Sequence, residues 1–531
     1  MSRPVLIEGS PDAVATAPPL EGSAHGTQDV RSSWRAAIVL VVIGLAGLGV
    51  LFAEEVAAAV RVWDSSAAYN HCWLILPIAA WLAWTRRDRL EGLQPSPMPV
   101  LAVLAIPVGV AWLGAERLGI MEGRQFTALA LVYVLLLSVL GWRICRAMAA
   151  PLLYLVFLVP FGAFATPLLQ RITAWMIEVG LTAMDIPHYV DELIIETTAG
   201  TFLVAEACAG LRFLIAALAF GALYAVVMFR SPGRRLAVFA LALVVPIVAN
   251  GIRAFGIVLL GHYLGSAEAA AADHVLYGWV FFSIVILLLI IAGLPFREDG
   301  APEPRRLAPK ASARAPAVAT LVTATVLALA LAAAAPVAAY SLQQAGARDP
   351  ERVMLRLAAM EGCGPAAQGE SLQCGNLSVS VQATVFPTEV TWSRVSMERW
   401  RLSSGSDQDI QFTVRTPGAI LQARQSREDA TTVAVAIWLN GQQVGSGLRG
   451  RAEQGWNSVV GGRGVPVLVA ITVRPEEQAG TVLNGPRQRA LVEGLLQAQG
   501  QQIVARAAAL SRGAPSAARS SAPAGGGQAG G

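Results

Sequence analysis

The strongest constraint on this chain is a series of apolar runs that are too long and too poor in charge for the core of a soluble domain. Eight fall in the first 300 residues, at about 36–56, 71–85, 98–115, 126–142, 148–166, 207–229, 236–260 and 274–295, and a ninth lies near 316–339. A helix needs roughly 20 apolar residues to cross the hydrocarbon core of a bilayer, and a helix satisfies its own backbone polar groups there. The expected fold is an all-α polytopic membrane protein of about 8 transmembrane helices, followed by a ninth. Charged residues make up 14% of the 531 positions, against roughly 25% in a soluble domain. This excludes an ordinary cytosolic enzyme. A net charge of +4 over such a length gives no basis for a nucleic-acid partner. The run 71–85 is short, and its Trp residues suit a bilayer interface. The first run follows a 35-residue polar leader without a small-residue cleavage site, so it reads as a retained helix.

Arginine placement sets the expected orientation, because basic residues concentrate in cytoplasmic loops. With the N-terminus inside, the inside segments hold 16 basic residues. The outside segments of the first 300 residues hold 4, namely Arg61, Arg117, Arg124 and Arg171. The region after the ninth helix is thereby expected outside the cytoplasm. The resulting division is a disordered cytoplasmic leader over 1–35, a membrane domain over 36–297, a cytoplasmic linker over 298–315, the ninth helix over 316–339, an extracytoplasmic domain over 341–510 and a disordered tail over 511–531.

Residues 341–510 read differently from the rest. Polar and apolar residues alternate in Leu377–Phe386 and Thr431–Leu439, the period of a half-buried strand. Asn440-Gly441 after the second run is a hairpin turn signal, and a helix is expected near 486–510. This is a small α+β domain. Cys363 and Cys374 fall inside it. In an oxidising compartment a short-loop disulfide is their simplest reading, with two free thiols as the alternative.

Ionisable residues inside spanning helices are costly and mark functional candidates. Three sets stand out: Glu206, Cys208 and Arg212 at the start of the sixth run, Asn250 and Arg253 in the second half of the seventh, and Asp273 and His274 at the start of the eighth. The orientation places Cys208, Arg253 and His274 at a similar depth near the outer face, although none of them was used to derive it. A thiolate is the nucleophilic form of cysteine, and a helix N-terminus favours it. Arg212, four residues on, is expected on the same helix face, one turn away. His274 could take the thiol proton and return it to a leaving amine. Arg253 holds its proton, so it suits charge stabilisation at an oxyanion. Bland readings stand beside these. Cys208 could be a small packing residue, as Cys72 and Cys145 are expected to be; His274 could cap a helix at the interface; Arg212 could pair with Glu206. His262, His274 and Cys208 form no compact ligand motif, and neither metal nor cofactor is expected.

At these residues the chain resembles the exosortase/archaeosortase family of membrane cysteine transpeptidases. Glu206-Ala-Cys-Ala-Gly-Leu-Arg-Phe-Leu214 is similar to the family's cysteine motif, Val245-Pro-Ile-Val-Ala-Asn-Gly-Ile-Arg253 to its arginine motif, and Asp273-His-Val-Leu-Tyr-Gly-Trp-Val-Phe-Phe282 to its histidine motif. Asn70-His71-Cys-Trp-Leu-Ile-Leu-Pro77 resembles a weaker N-terminal motif, with Cys72 where glycine is usual. The resemblance spans about 36–297 and is nearest to the bacterial exosortase A type. It implies Cys208 as nucleophile with Arg253 and His274 completing the site, and Arg212, Glu206, Asn250, Asp273 and His71 in support. It also implies location in the bacterial inner membrane. The implied substrates are secreted proteins ending in a Pro-Glu-Pro-type motif, a membrane helix and an arginine-rich tail. They would be cut through a thioester, passed to an acceptor and linked to exopolysaccharide machinery. Some relatives carry, or are encoded beside, a small extracytoplasmic domain of the same system, and residues 341–510 have its position and size without a motif match. Two other readings remain open: a non-enzymatic component of polysaccharide export, and a purely hydrolytic intramembrane protease.

Overall fold

The computed structural model describes residues 22–265, 274–299, 316–366, 370–405, 409–426, 430–445, 447–462, 464–475 and 485–513. The expected linker 298–315 lies almost wholly outside the described residues, as does the tail beyond 513. The membrane half is built from α1 (Gly22–Leu51), α2 (Ala53–Ser65), α3 (Ile75–Thr85), α4 (Ala105–Leu118), α5 (Met121–Leu140), α6 (Trp142–Ala147), α7 (Ala149–Tyr154) and α8 (Thr166–Ala183). A three-stranded antiparallel sheet follows, with β1 (His188–Asp191), β2 (Ile194–Thr197) and β3 (Gly200–Leu203) in sequential order. Then come α9 (Leu211–Met228), α10 (Pro232–Leu264), α11 (His274–Gly293) and α12 (Val318–Ala345).

Among the described residues, six helices are long and apolar enough to cross a membrane, or up to seven when one bent pair is counted as a span. Nine runs of sequence thus correspond to fewer continuous helices. The run 71–85 becomes an 11-residue α-helix, α3, behind a short 3-10 turn at Asn70–Leu74. At about 1.5 Å per residue it is too short to cross alone. The run 148–166 is not one span. Helix Ala149–Leu158 bends by 63° into Ala163–Ala183. Pro160 and Gly162 lie in the break, Gly162 with φ 110°. A proline removes a backbone donor and a left-handed glycine redirects the chain. The first run ends at Leu51 rather than 56, broken at Phe52 (φ −116°, ψ 34°). Of the expected leader 1–35, residues 22–35 belong to helix α1, and residues 1–21 lie outside the described residues. Trp34 Nε1 donates to Leu93 O at 3.2 Å and fixes the helix near its entry to the apolar run. Once anchored, a helix extends at one residue per hydrogen bond, and no proline interrupts residues 22–35.

Segments assigned to one side by their arginines do meet. Arg86 Nη2 donates to Val226 O at 3.1 Å, Arg234 Nη1 donates to Phe296 O at 2.7 Å, and the amides of Arg230 and Ser231 donate to Glu298 Oε2 at 2.6 and 2.8 Å. At the opposite helix ends, Arg124 of α5 bridges Glu54 and Glu55 of α2, each at 2.7 Å. There too, Gln343 of α12 donates to Glu116 of α4 at 3.1 Å. Trp112 Nε1 also donates to Glu55. Of the four arginines expected outside, Arg61 and Arg171 are exposed, while Arg117 and Arg124 are buried or nearly so in carboxylate pairs. Pairing lowers the cost of a charge at that depth.

The C-terminal domain is a nine-stranded antiparallel sheet between helices. Its strands are β4 (Glu351–Met354), β5 (Gly364–Pro365), β6 (Ser371–Cys374), β7 (Leu377–Val385), β8 (Ile410–Thr416), β9 (Ala419–Gln425), β10 (Thr432–Leu439), β11 (Gln442–Val444) and β12 (Val467–Pro475). The main path runs β5-β6-β7-β12-β10-β9-β8, with β4 on β7 and β11 on β10. Alternation in β7 puts Val379, Val381 and Ala383 into one core layer with Ile503 and Ala507 of the final helix, Gly485–Ser511. The other face packs Val433, Val435 and Ile437 against Trp392 and Val395 of Trp392–Ser403. Asn440 (φ 51°) and Gly441 (φ 83°) close the β10–β11 hairpin, since that turn needs two left-handed residues. Cys363 and Cys374 are disulfide-bonded, with Cα atoms 4.3 Å apart.

Candidate active site

Three elements converge on Cys208. Strand β3 runs directly into a 3-10 turn, Glu206–Cys208, so the small sheet delivers the thiol. Ile195 and Val204 of that region pack with Ala174, Ile177 and Leu181 of α8 and Ala254 and Val258 of α10, and Cys208 lies against this cluster. Gln170 Nε2 of α8 donates to Val204 O at 2.8 Å and locks the approach. Helix α8 was not expected from the sequence. Gln170, Arg171 and Glu178 interrupt its apolar character, which hides it from a search for continuous apolar runs.

Helix α9 begins only after Gly210, whose φ is 79°. The expectation that Cys208 and Arg212 share one continuous helical face is therefore overturned. The chain reverses hand between them, so the four-residue spacing carries no face relation. Glycine is required on a second ground. A Cβ at 210 would lie 2.5 Å from Asn250 Cγ. That close approach lets α10 reach the thiol turn.

Asn250 is the organising residue. Its side chain is 1% exposed. Its amide nitrogen donates to Cys208 O at 2.8 Å and to Thr173 Oγ1 at 3.2 Å. Its amide oxygen accepts from Arg253 Nη2 at 3.0 Å, one helical turn along α10. Asn250 thus joins the cysteine turn, α8 and Arg253 in one array. The Arg253 guanidinium interacts with the Cys208 side chain, and the Arg212 guanidinium lies within electrostatic range of it. Its carbon lies 5.8 Å from the centre of the Phe213 ring, over which a cation is favoured. Arg253 Nε is buried and has no hydrogen-bond partner among the described residues, and no carboxylate pairs with Arg253 there.

His274 is the first residue of α11, and its side chain lies outside the described residues, as does all of Asp273. The start of α11 nevertheless reaches this region. A Cβ on Gly278 would sit 3.5 Å from the Phe213 ring, and Phe282 stacks on Phe213 with ring centres 3.6 Å apart. Arg212 and His71 line one cavity of about 650 Å³, together with Asn70, Phe213, Phe282 and Ser283. His71 Nε2 is buried without a hydrogen-bond partner among the described residues. Glu206 is exposed and forms no ion pair with Arg212 among the described residues. Cys72 and Cys145 are buried free thiols, whereas Cys208 is partly exposed. Among the free cysteines Cys208 is the one within reach of solvent or a substrate.

Residues 63–291 match the family model described as transmembrane exosortase (Exosortase_EpsH). Cys208, Arg253 and His274 all lie within the matched stretch, and the C-terminal domain lies outside it. No curated protein and no solved structure matches the chain.

Proposed function

From the membership of residues 63–291 in the transmembrane exosortase family, we infer that this membrane protein is a cysteine transpeptidase acting on C-terminal sorting signals of secreted proteins. The observation that carries this reading is the Asn250 link, which holds the Cys208 backbone and the Arg253 guanidinium in one hydrogen-bonded array. A packing cysteine would need no arginine beside it.

In the proposed reaction the Cys208 thiolate attacks the carbonyl carbon of the scissile peptide. Arg253 donates to the oxyanion that forms; a preorganised donor of this kind is worth about 10²–10³ in rate. The thiol proton passes to His274, which returns it to the leaving amine as the C–N bond breaks. The helix and arginine tail of the signal depart, and a thioester on Cys208 remains. An acceptor nucleophile then attacks the thioester and the thiol is regenerated. In the orientation expected from arginine placement, this chemistry lies at the outer face of the membrane, where a signal arrested in the bilayer presents its motif.

The test is co-expression with a secreted protein ending in a Pro-Glu-Pro motif, an apolar helix and an arginine tail. Wild-type cells should shorten that protein, and Cys208→Ala cells should accumulate it unprocessed while inserting the variant normally. Normal processing by Cys208→Ala would overturn the reading. The mass of the product separates transfer from hydrolysis: an added amine or glycan supports transfer, and a free carboxylate denotes a hydrolytic protease. If the protein were only a part of an export path, export would survive Cys208→Ala and fail on Arg253→Ala.

A further inference from the structure

The C-terminal domain is joined to the membrane half through two helices, Trp392–Ser403 (α13) and Leu448–Val460 (α14). Both press on the same place. A Cβ on Gly119 would lie 3.0 Å from the Ser393 backbone nitrogen, and a Cβ on Gly455 would lie 3.6 Å from the backbone carbon of Arg117. Arg117 Nη1 also donates to Glu389 O at 3.1 Å, just ahead of α13. Arg117 to Gly119 is the end of the candidate span Pro99–Leu118. The end of a span lies at the water–bilayer boundary whichever way the protein is oriented.

The helical period then gives a direction. Residues seven apart, or four apart, share a face of a helix. On α13, Ser393, Met397 and Trp400 share the face that meets Gly119. On α14, Leu448, Gly455 and Val459 share the face that meets Arg117. Met397, Trp400 and Leu448 are 68%, 67% and 68% exposed, and Val459 is 48% exposed. Each therefore projects in the same direction as its helix's contact with the span end, but beyond the protein's own footprint. Away from these exposed positions, Trp392 and Val395 on one helix and Gln454 and Ser458 on the other are buried. Trp456, also exposed, flanks the second face.

The charges agree with this geometry. The two helices carry Arg394, Arg399, Arg401, Arg449 and Arg451 against Glu398 and Glu453. Arg394 and Arg401, seven residues apart, are exposed and flank the Met397–Trp400 face, and Arg449 is exposed beside Leu448. Cations at the edge of an apolar face suit an anionic surface. Tryptophan with arginine on a helix beside apolar residues is the composition of a bilayer interface.

We propose that α13 and α14 form a lipid-binding platform that seats the C-terminal domain on the anionic phospholipid surface of the bilayer the chain itself spans, with Met397, Trp400, Leu448 and Val459 entering the headgroup–acyl boundary. Continuity with the end of a span, which lies at the water–bilayer boundary, selects lipid over a protein partner. The platform is independent of the chemistry at Cys208.

The experiment uses the full chain in nanodiscs of phosphatidylcholine and phosphatidylglycerol. Single cysteines at Trp400 and Val459 carry a nitroxide label in a Cys208→Ser background; Cys72 and Cys145 are buried. Arg506, exposed on the helix across the sheet, is the reference position. The ratio of collisions with oxygen to collisions with a water-soluble nickel chelate should be severalfold higher at 400 and 459 than at 506. Labels at 397 and 448 repeat the measurement independently, so one perturbed variant does not decide it. Ratios at all four positions equal to that at 506 would overturn the platform, and this is the outcome expected if a protein, and not lipid, covers the face.

Discussion

Arg117 and Arg253 both occupy apolar helices of the membrane half, but their partners differ in kind. Arg117 is 1% exposed and its Nε contacts Glu116 Oε2 at 2.6 Å. Arg124 of α5 likewise bonds two glutamates. Arg253 meets an amide oxygen, an aromatic face and a cysteine, and no carboxylate among the described residues. Each of Arg117 and Arg253 leaves one guanidinium nitrogen without a hydrogen-bond partner there, so unpaired nitrogens do not separate them. The counter-ion does. A carboxylate fixes the charge of Arg117 permanently, which suits a joint between helices. A neutral amide orients Arg253 without cancelling its charge, which suits an anion that exists only during a reaction.

The sharpest way to break this comparison is to remove the thiol that Arg253 faces. Cys208→Ala should lower processing of a sorting-signal substrate by at least about 10³-fold, as loss of a nucleophile does, with thermal stability unchanged. Next, Arg253→Ala should lower processing by about 10²–10³-fold, again with little change in melting temperature. Arg117→Ala should do the reverse. Breaking a buried pair costs about 3–5 kcal/mol, so the melting temperature should fall, while activity per folded molecule is kept. If Arg253→Ala melts early and Arg117→Ala stays stable but inactive, the roles are exchanged and the account fails. Asn250→Leu should show both effects, because it strands Cys208 O and Thr173 Oγ1 and frees Arg253. Lost hydrogen bonds of this kind cost about 1–3 kcal/mol, and activity should fall without vanishing. The smallest effect on activity belongs to the Cys363–Cys374 disulfide. Replacing both with serine should destabilise the C-terminal domain by about 2–4 kcal/mol, measured by its own melting transition, and leave Cys208 chemistry in place.

The same contrast explains what could be read without the structure. Long apolar runs and the isolated Cys208, Asn250 and Arg253 are visible because lipid penalises every polar residue, so those that persist stand out. The strand Leu377–Val385 is visible through its period of two, and the final helix through its composition. Thr432–Leu439 is a strand but does not alternate, because it is central in the sheet and buried on both faces. The ion pairs were not visible. Glu116 and Arg117 are adjacent, but Glu55 and Arg124 are distant in sequence, and nothing local links them. Helix α8 was hidden by its own polar residues, which turn out to bind Val204 O and Asn250. The break at Gly210 was hidden as well. One glycine in an apolar run is tolerated in many helices, and here its left-handed conformation answers to Asn250, 40 residues downstream.

The most direct test of the central claim is intact-mass spectrometry of the purified protein in nanodiscs, acid-quenched soon after mixing with a sorting-signal substrate and without acceptor. The account predicts a covalent adduct on Cys208 that hydroxylamine releases, formed by the wild type and by folded Arg117→Ala, and absent or strongly reduced in Arg253→Ala. Substrate cleavage without any Cys208 adduct, or an adduct that forms equally well in Arg253→Ala, would contradict it.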